Sequence, residues 1–156
     1  MTDRAQVVQT FLIGAGWGRA AREPLPGDAS FRRYVRLRMD GRTAMLMDAP
    51  PPQEDVRPYL IVARHLVSIG YSAPRILAED VEHGLLLIED FGDATYTREL
   101  AAGTDECSLY EAAVDVLVDL HHRTPAWDRE VPAYDDERML AEAALFVDWY
   151  VPAITE

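Results

Sequence analysis

The stretch Gly27-Asp28-Ala29-Ser30-Phe31-Arg32-Arg33-Tyr34 decides the fold, because here a tight loop runs into a strand. Gly27 permits backbone angles that are closed to other residues, and Asp28 and Ser30 favour turns. Beyond the loop, apolar residues fall on alternate positions, as on one face of a strand; they are Phe31, Val35, Leu37 and Met39. The opposite face carries Arg32, Tyr34, Arg36 and Arg38.

The residues that follow predict a hairpin. Asp40-Gly41 supplies a two-residue turn, and residues 43–47 supply the returning strand. Two interpretations of this hairpin stay open at this point. One is a loop that faces phosphate, and the other is an ordinary hairpin with a basic, solvated face. A short motif is only a hypothesis until its structural context agrees.

Charge is distributed unevenly along the chain. The formal net charge of −12 argues against sequence-independent binding of nucleic acid, since neutralising phosphates needs clustered Lys and Arg. Residues 1–46 hold eight Arg against four acidic residues, whereas the remaining residues hold seven Arg against 23. We therefore expect positive potential around the opening hairpin. All 15 basic residues are Arg, so the chain has no lysine.

Length and composition predict one globular chain with a real core, since 156 residues are 49% hydrophobic. We find no apolar run long enough to span a bilayer, and the N-terminus Met1-Thr2-Asp3-Arg4 lacks the pattern of a signal peptide. A cytoplasmic location without membrane contact is the expectation.

Hydrophobic periodicity predicts the remaining elements. Helices are expected at residues 4–13, 53–69, 95–100, 106–122 and 135–150, strands at 22–25, 75–79 and 85–89, a stiff extended connector at 50–52, and a Pro-containing loop at 124–133. The helix at 53–69 has two acids in its first turn, Glu54 and Asp55. The run Leu85-Leu86-Leu87-Ile88 predicts a strand that is buried on both faces. This order predicts an α+β unit followed only by helices.

The two long C-terminal helices differ in their apolar faces. In residues 106–122 we expect Leu109, Ala113, Val116, Leu117 and Leu120 to point inward. In residues 135–150 the apolar stripe widens until it covers most of the helix, and its members are Met139, Ala143, Leu145, Phe146, Val147, Trp149 and Tyr150. Such a helix needs partners, so we expect self-association or a further part of the structure to cover residues 139–151.

Several motifs together resemble those of the aminoglycoside phosphotransferase-like branch of the protein-kinase fold, and above all its anomeric kinases of N-acetylmuramate and N-acetylglucosamine. The similar segments are residues 27–34, 47–51, 74–78, 86–92, 120–121 and 142–150. The resemblance implies a kinase-like N-lobe at residues 1–89, an antiparallel sheet with one inserted helix. It also implies a hinge or linker at 90–93 and, at 94–156, the first helices of a truncated helical C-lobe.

The resemblance also implies an ATP site and a role in cell-wall recycling. Its ATP-binding residues would be Ser30, Phe31, Arg32 and Arg33 in the loop, and Glu89, Asp90 and Phe91 in the hinge, whose backbone would hydrogen-bond adenine. For Arg32, a phosphate contact and a solvated strand residue stay open as alternatives, whereas for Arg33 the solvated residue is favoured. Asp48, before three prolines, is expected to serve a turn.

The sequence departs from the family pattern in three ways. It contains no His-Gly-Asp catalytic segment and no metal-binding Asp after it, so we expect no catalytic or metal-binding residue here. Asp90-Phe91-Gly92 is similar to the magnesium-binding motif of protein kinases, but it directly follows the hinge strand and predicts a linker with one packed aromatic. The strand lysine that binds the α- and β-phosphates is missing, and its position falls near Met47.

Two functions of different class follow. The first is the N-terminal, nucleotide-binding portion of an ATP-dependent sugar kinase that uses Mg²⁺ in the intact enzyme and is inactive as this chain alone. The second is a non-catalytic fragment or interaction module that binds a partner through its final helix. Another hydroxyl substrate, such as an aminoglycoside, is a variant of the first.

Overall fold

A computed structural model describes residues 3–27, 30–123 and 133–155. The elements are α1 Arg4–Gly14, β1 Ala21–Pro24, β2 Arg33–Met39, β3 Arg42–Asp48, α2 Arg57–Ser68, β4 Ile76–Asp80, β5 Leu85–Ile88, α3 Tyr96–Ala101, α4 Glu106–His122, α5 Asp136–Leu145, a π-helical turn Phe146–Tyr150 and α6 Val151–Thr155. They confirm the predicted α+β class. Asp28 and Ala29 of the predicted turn, and nearly all of the predicted loop at 124–133, lie outside the described residues.

Five strands form one antiparallel sheet in the order β1-β2-β3-β5-β4. The predicted hairpin of β2 and β3 is confirmed, with Met39 opposite Arg42. Its turn residues Asp40 and Gly41 both have positive φ, 51° and 74°, which is the geometry of the tight turns that match the strand twist.

Each face of the sheet packs against one helix. On one face, α1 packs through Val8 and Leu12 against alternate residues of the strands; the buried ones are Leu37, Ala44, Leu46, Leu85 and Leu87. On the other face, the α2 side packs through Val56 and Leu60 against Met45, Met47, Leu86 and Ile88. All four residues of β5 are buried, so the burial predicted for both faces of this strand is confirmed.

An ion pair joins the start of α1 to the end of β3. The guanidinium of Arg4 donates to Asp48 Oδ1, with Nε at 3.1 Å, and its Nη1 donates to the carbonyl of His83 at 2.7 Å. Asp48 thus holds α1 against the end of β3, and the turn role expected from its place before the prolines stays a prediction.

The segment before α2 differs from the prediction. The helix begins at Arg57 rather than Gln53, with Pro58 in its first turn, where a missing N–H costs no helical hydrogen bond. Glu54 and Asp55 therefore precede the helix, and Asp55 accepts a hydrogen bond from Arg57 N at 3.0 Å. Residues 51–53 form a turn with a cis bond between Pro51 and Pro52, so the predicted extended connector is wrong.

The chain divides into two compact units, Met1–Asp115 and Val116–Glu156. The predicted lobe boundary at residues 90–93 stays a prediction. In the first unit, Thr95 caps α3 as predicted, because its side chain accepts from Arg98 N. No residue described in α4, α5 or α6 is buried, and Val116 and Leu117, expected to point inward, are about half exposed. Among the described residues, we find no helix that is both long and apolar enough to cross a membrane.

Gly84 lies close to the backbone of another segment. It has φ +65°, and an added Cβ would lie 2.0 Å from the carbonyl oxygen of Ala49. The N–H of Ala49 in turn donates to Gly84 O at 2.9 Å. Gly41 is a matched control, since its φ is +74° but an added Cβ would meet nothing within 4 Å.

We therefore expect Gly84→Ala to destabilise the protein more than Gly41→Ala. Both should lose roughly 1–2 kcal/mol from the left-handed backbone, and Gly84→Ala should lose a further 1–3 kcal/mol or so from the clash. Urea unfolding followed by circular dichroism measures both. Equal losses would show that the backbone at Ala49 moves aside freely.

Candidate functional site

The predicted site residues lie at opposite ends of the sheet, at the start of one strand and at the end of another. The loop precedes β2, and the hinge follows β5. Because both strands pair antiparallel with β3, they run in the same direction, with Arg33 and Leu85 both opposite Asp48 and Arg36 and Ile88 both opposite Met45. By strand rise, about 16 Å separates the row of Arg32 from that of Glu89.

At the hinge end, a buried guanidinium holds the linker. Arg36 donates to both carboxylate oxygens of Asp90, Nε to Oδ2 at 2.8 Å and Nη2 to Oδ1 at 3.2 Å. It also donates to Asp93, Nη1 to Oδ2 at 3.0 Å and Nη2 to Oδ1 at 2.9 Å, and to the carbonyl of Gly92. The side chains of Arg36 and Asp90 are only 5% and 3% exposed.

This network corrects two predictions. One of the two open interpretations of the hairpin placed Arg36 on a basic, solvated face, but Arg36 is buried on the α2 side of the sheet because two acids from the hinge satisfy its charge. Phe91 was expected to be the packed aromatic of the linker, and it is exposed. The acid at position 90, and not the aromatic at 91, is the residue that packs.

The network shifts the pKa values of its members. Burial raises the pKa of Asp90, but hydrogen bonds from Gly92 N–H, Arg36 and Thr43 outweigh burial, so its pKa lies below the usual range. The hydrogen bond from Arg36 lowers the pKa of Asp93. Hydrogen bonds to Asp93 and Asp90 raise the pKa of Arg36 further, so all three groups are charged at neutral pH.

Glu89 continues the pairing with the edge strand. Its N–H donates to Arg75 O at 2.9 Å, and its carboxylate accepts from Arg75 Nε and Nη2, each at 3.0 Å. The Glu89 N–H is therefore engaged. The Gly92 N–H is engaged too, with Asp90 Oδ1 at 2.9 Å. Of the predicted hinge residues Glu89, Asp90 and Phe91, the last two have N–H groups that donate no hydrogen bond within residues 3–27, 30–123 and 133–155, so both are hinge donors left for a ligand.

At the loop end, the predicted residues meet an acid that sequence reasoning did not assign to the site. Phe31 N donates to Glu54 Oε1 at 3.1 Å, and Arg32 Nε lies 3.6 Å from Glu54 Oε2. Arg32 N donates to Ser30 Oγ at 3.2 Å, which closes the turn. Phe31 precedes β2 and is exposed, so its expected place on the buried face of the strand is wrong.

Arg32 lies on the α2 side of the sheet, close to two tyrosines. Burial raises the pKa of the Tyr59 phenol, Tyr34 raises it further and Arg32 opposes the shift, so these three groups lie near one another. Arg33 does not join them. It is exposed and helps to line a separate groove of about 460 Å³ on the α1 side, with Arg22 and Asp48.

The position of the missing strand lysine is apolar. Met47 is buried in the α2-side core, beside Leu60. Two residues of the site, Arg36 and Glu54, escaped sequence reasoning. Glu54 was noted only as an acid in the first turn of a helix. The sequence signal for Arg36 was the pair of acids in the linker, Asp90 and Asp93, which follow it by 54 and 57 positions. Among the described side chains, no group of three or more His, Cys, Asp or Glu is arranged to hold a metal ion.

Comparison with known proteins gives one family and several relatives. Residues 21–155 match the Phosphotransferase enzyme family. The chain is 43% identical over 143 residues to an N-acetylmuramate/N-acetylglucosamine kinase of Pseudomonas aeruginosa, covering 90% of this chain and 41% of that protein. Kinases of the same name from Pseudomonas putida and Caulobacter vibrioides are 41% and 34% identical, covering 80% and 95% of this chain and 36% and 50% of those proteins. The chain thus spans half or less of the relatives it matches.

The hinge network predicts unequal effects for its two acids. Asp90→Ala should cost about 3 kcal/mol of unfolding free energy, because it leaves the buried Arg36 with one, half-exposed partner. Asp93→Ala is the matched control and should cost clearly less, since Asp93 is 51% exposed and solvent screens its interaction. Urea unfolding at neutral pH measures the difference, and equal losses would contradict the assignment of Asp90 as the anchoring acid.

The same two acids should also make stability depend on pH. A lowered pKa means stabilisation that is complete above the usual value of about 3.9 and is lost as the pH falls through the folded-state value. The wild-type chain should therefore lose stability on acidification below about pH 4. The Asp90→Asn variant should have a lower free energy of unfolding at neutral pH, and it should lose less of this free energy over the same pH range.

Proposed function

This chain belongs to the phosphotransferase enzyme family, and we propose that it supplies the nucleotide-binding part of an ATP-dependent sugar kinase. One observation carries the proposal: the phosphate-type loop precedes β2 and the hinge follows β5, so they lie at opposite ends of two strands that run in the same direction, on a sheet whose α2 side holds the loop cation and the hinge network. An extended nucleoside triphosphate has one end apolar and aromatic and the other anionic. At this site the anionic end would meet Arg32 at the loop, and the base would meet backbone N–H groups at the hinge.

The hinge would hold adenine through its backbone. The N–H groups of Asp90 and Phe91 are the donors that remain among the described hinge residues, because those of Glu89 and Gly92 are engaged. Arg36 and Asp90 would fix this segment before the ligand arrives, so little conformational entropy is lost on binding. The Glu89 side chain is bound to Arg75 and would contribute only through its backbone.

The loop would hold phosphate through Arg32. A guanidinium forms charge-assisted hydrogen bonds with phosphate oxygens. Arg32 lies at the loop end of the site, where it pairs with Glu54. The N–H groups and hydroxyl of the turn at Ser30 and Phe31 would lie beside the same phosphates. Arg33, on the other side of the sheet, is not included.

The substrate would be an amino sugar. The relatives named above are kinases of N-acetylmuramate and N-acetylglucosamine, and a hydroxyl of such a sugar is the acceptor that we propose, in the recycling of cell-wall sugars. The reaction would draw on cytoplasmic ATP. An aminoglycoside or another hydroxyl compound is the alternative acceptor.

The phosphoryl-transfer step itself would depend on the part of such proteins that this chain does not span. Kinases need an Asp that accepts the hydroxyl proton and Mg²⁺ that bridges the phosphates. The 156 residues contain no His-Gly-Asp segment, and we assign no magnesium ligand within them. We propose that this polypeptide alone binds nucleotide and transfers no phosphate.

A second candidate function is an interaction module that uses the C-terminal helices. The exposed apolar side chains of residues 139–154 support it; they are Met139, Leu140, Leu145, Phe146, Val147, Trp149, Tyr150 and Ile154. Phe146 and Tyr150 stack with ring centroids 5.0 Å apart. This face would be covered by the rest of a helical lobe, or by a second copy of the chain.

Arg32→Ala tests the proposed nucleotide site. Losing a charge-assisted phosphate contact should weaken ATP binding by roughly 1.5–3 kcal/mol, while adenosine binding stays nearly unchanged because it depends on the hinge backbone. Isothermal calorimetry with the two ligands measures the split. Arg33→Ala is the control on the opposite side of the sheet and should leave both affinities unchanged. Equal losses for ATP and adenosine, or none, would remove Arg32 from the phosphate site.

Truncation after Asp135 tests the exposed C-terminal face. A helix that presents this much apolar surface should self-associate, so light scattering should show a mass that rises with concentration, and the shortened chain should show less of this rise. A strictly monomeric full chain at high concentration would show that the helix covers its own face.

A further inference from the structure

Glu54 contacts the loop at two different points. Its Oε1 accepts from Phe31 N at 3.1 Å, and its Oε2 lies 3.6 Å from Arg32 Nε. Its side chain is only 19% exposed, and its own N–H donates to Pro50 O at 3.2 Å, within the turn that precedes α2. One carboxylate therefore connects the turn before α2 to both the backbone and the side chain of the loop.

The contact between Glu54 and Arg32 is an ion pair without a hydrogen bond. Arg32 Nε is buried and, among the described residues, has no hydrogen-bond partner, since 3.6 Å exceeds hydrogen-bond length. The side chain as a whole is 39% exposed. Glu54 thus attracts and orients the guanidinium while leaving the Nε–H unused.

The other arginines on the α2 side are engaged elsewhere. Arg36 is bound by Asp90 and Asp93 at the hinge end, and Arg38 pairs with Glu23 at 3.3 Å. The strand position from which a lysine would reach phosphate holds the buried Met47. Arg57, at the start of α2, is hydrogen-bonded to Asp55 at 3.2 Å, whereas the Nε–H of Arg32 has no hydrogen-bond partner among the described residues.

We propose that Glu54 is a positioning residue for Arg32, and that this pair does the work that a strand lysine and a helix glutamate share in other kinases. The acid comes from the turn before the helix, and the cation comes from the loop before β2. The inference rests on the proposed function, because it takes the ligand of Arg32 to be the phosphates of a nucleotide.

The direction in which removal of Glu54 changes the ATP affinity distinguishes a positioning role from a purely electrostatic one. Glu54 is negative and lies near the proposed phosphates, so by charge alone its removal would strengthen the binding of ATP. By positioning, its removal frees a long, rotamer-rich side chain and the loop backbone, and ATP binding weakens. The two readings predict opposite changes in the same measurement.

The experiment is calorimetry of ATP and adenosine on the 156-residue chain and three variants. Glu54→Ala should weaken ATP binding about tenfold, the lower end of what a charge-assisted contact contributes, with adenosine binding unchanged. Glu54→Gln keeps an acceptor for Phe31 N and should show a smaller loss. Asp55→Asn removes the same charge one residue away, where the acid faces Arg57, and should leave ATP binding unchanged.

Each other outcome counts against the proposal. ATP binding by Glu54→Ala that is unchanged or tighter would make Glu54 a bystander or a competitor. Equal losses for ATP and adenosine in both Glu54 variants would make it a structural residue only. A wild-type chain that binds neither ligand would instead overturn the proposed function, and the inference with it. Circular dichroism of each variant confirms that the fold is retained.

Discussion

The buried ion pair between Arg36 and Asp90 is the interaction on which the proposed site depends. Arg36 stands in the middle of β2 and Asp90 follows β5, and these strands are separated by β3. The pair therefore fixes the hinge to a strand that it does not touch by backbone pairing. Burying two charges costs so much solvation that such a pair adds little net stability, whereas losing one partner is expensive. Its contribution is to hold the hinge backbone in one position.

The loop end follows the same pattern of pairing over a long sequence distance. Arg4 pairs with Asp48, Arg32 with Glu54 and Arg36 with Asp90, so arginines of the basic N-terminal part are matched by acids from the acidic remainder. Part of the uneven charge of the sequence is thus used in internal ion pairs, and the positive potential predicted around the hairpin stays a prediction. What distinguishes the two ends is exposure. The hinge pair is closed, whereas Arg32 stays partly exposed beside the loop, where an anion can reach it.

Local patterns predicted most of the sheet, and long-range contacts explain where prediction failed. The alternation of apolar and polar residues and the Asp40-Gly41 turn were enough to predict the hairpin, and the apolar run Leu85–Ile88 was enough to predict a buried strand. These signals arise between residues that are close together in the sequence. The burial of Arg36 could not be read from its own strand, since the acids that allow it lie in the linker. The late start of α2 was readable from Pro58 but was missed. For α4, an apolar stripe predicted an inward face, yet burial needs a second element that covers the stripe. Val116 and Leu117 are about half exposed in the structure.

Amide NMR of the nitrogen-labelled chain tests the central claim most directly, because it locates both ends of a bound nucleotide at once. The account predicts that ATP shifts the amide resonances of Phe91 at the hinge and of Phe31 and Arg32 in the loop, and that adenosine shifts only the hinge. Shifts for both ligands that are confined to another surface, such as the groove between α2 and β4 lined by Arg64 and Pro74, would contradict it.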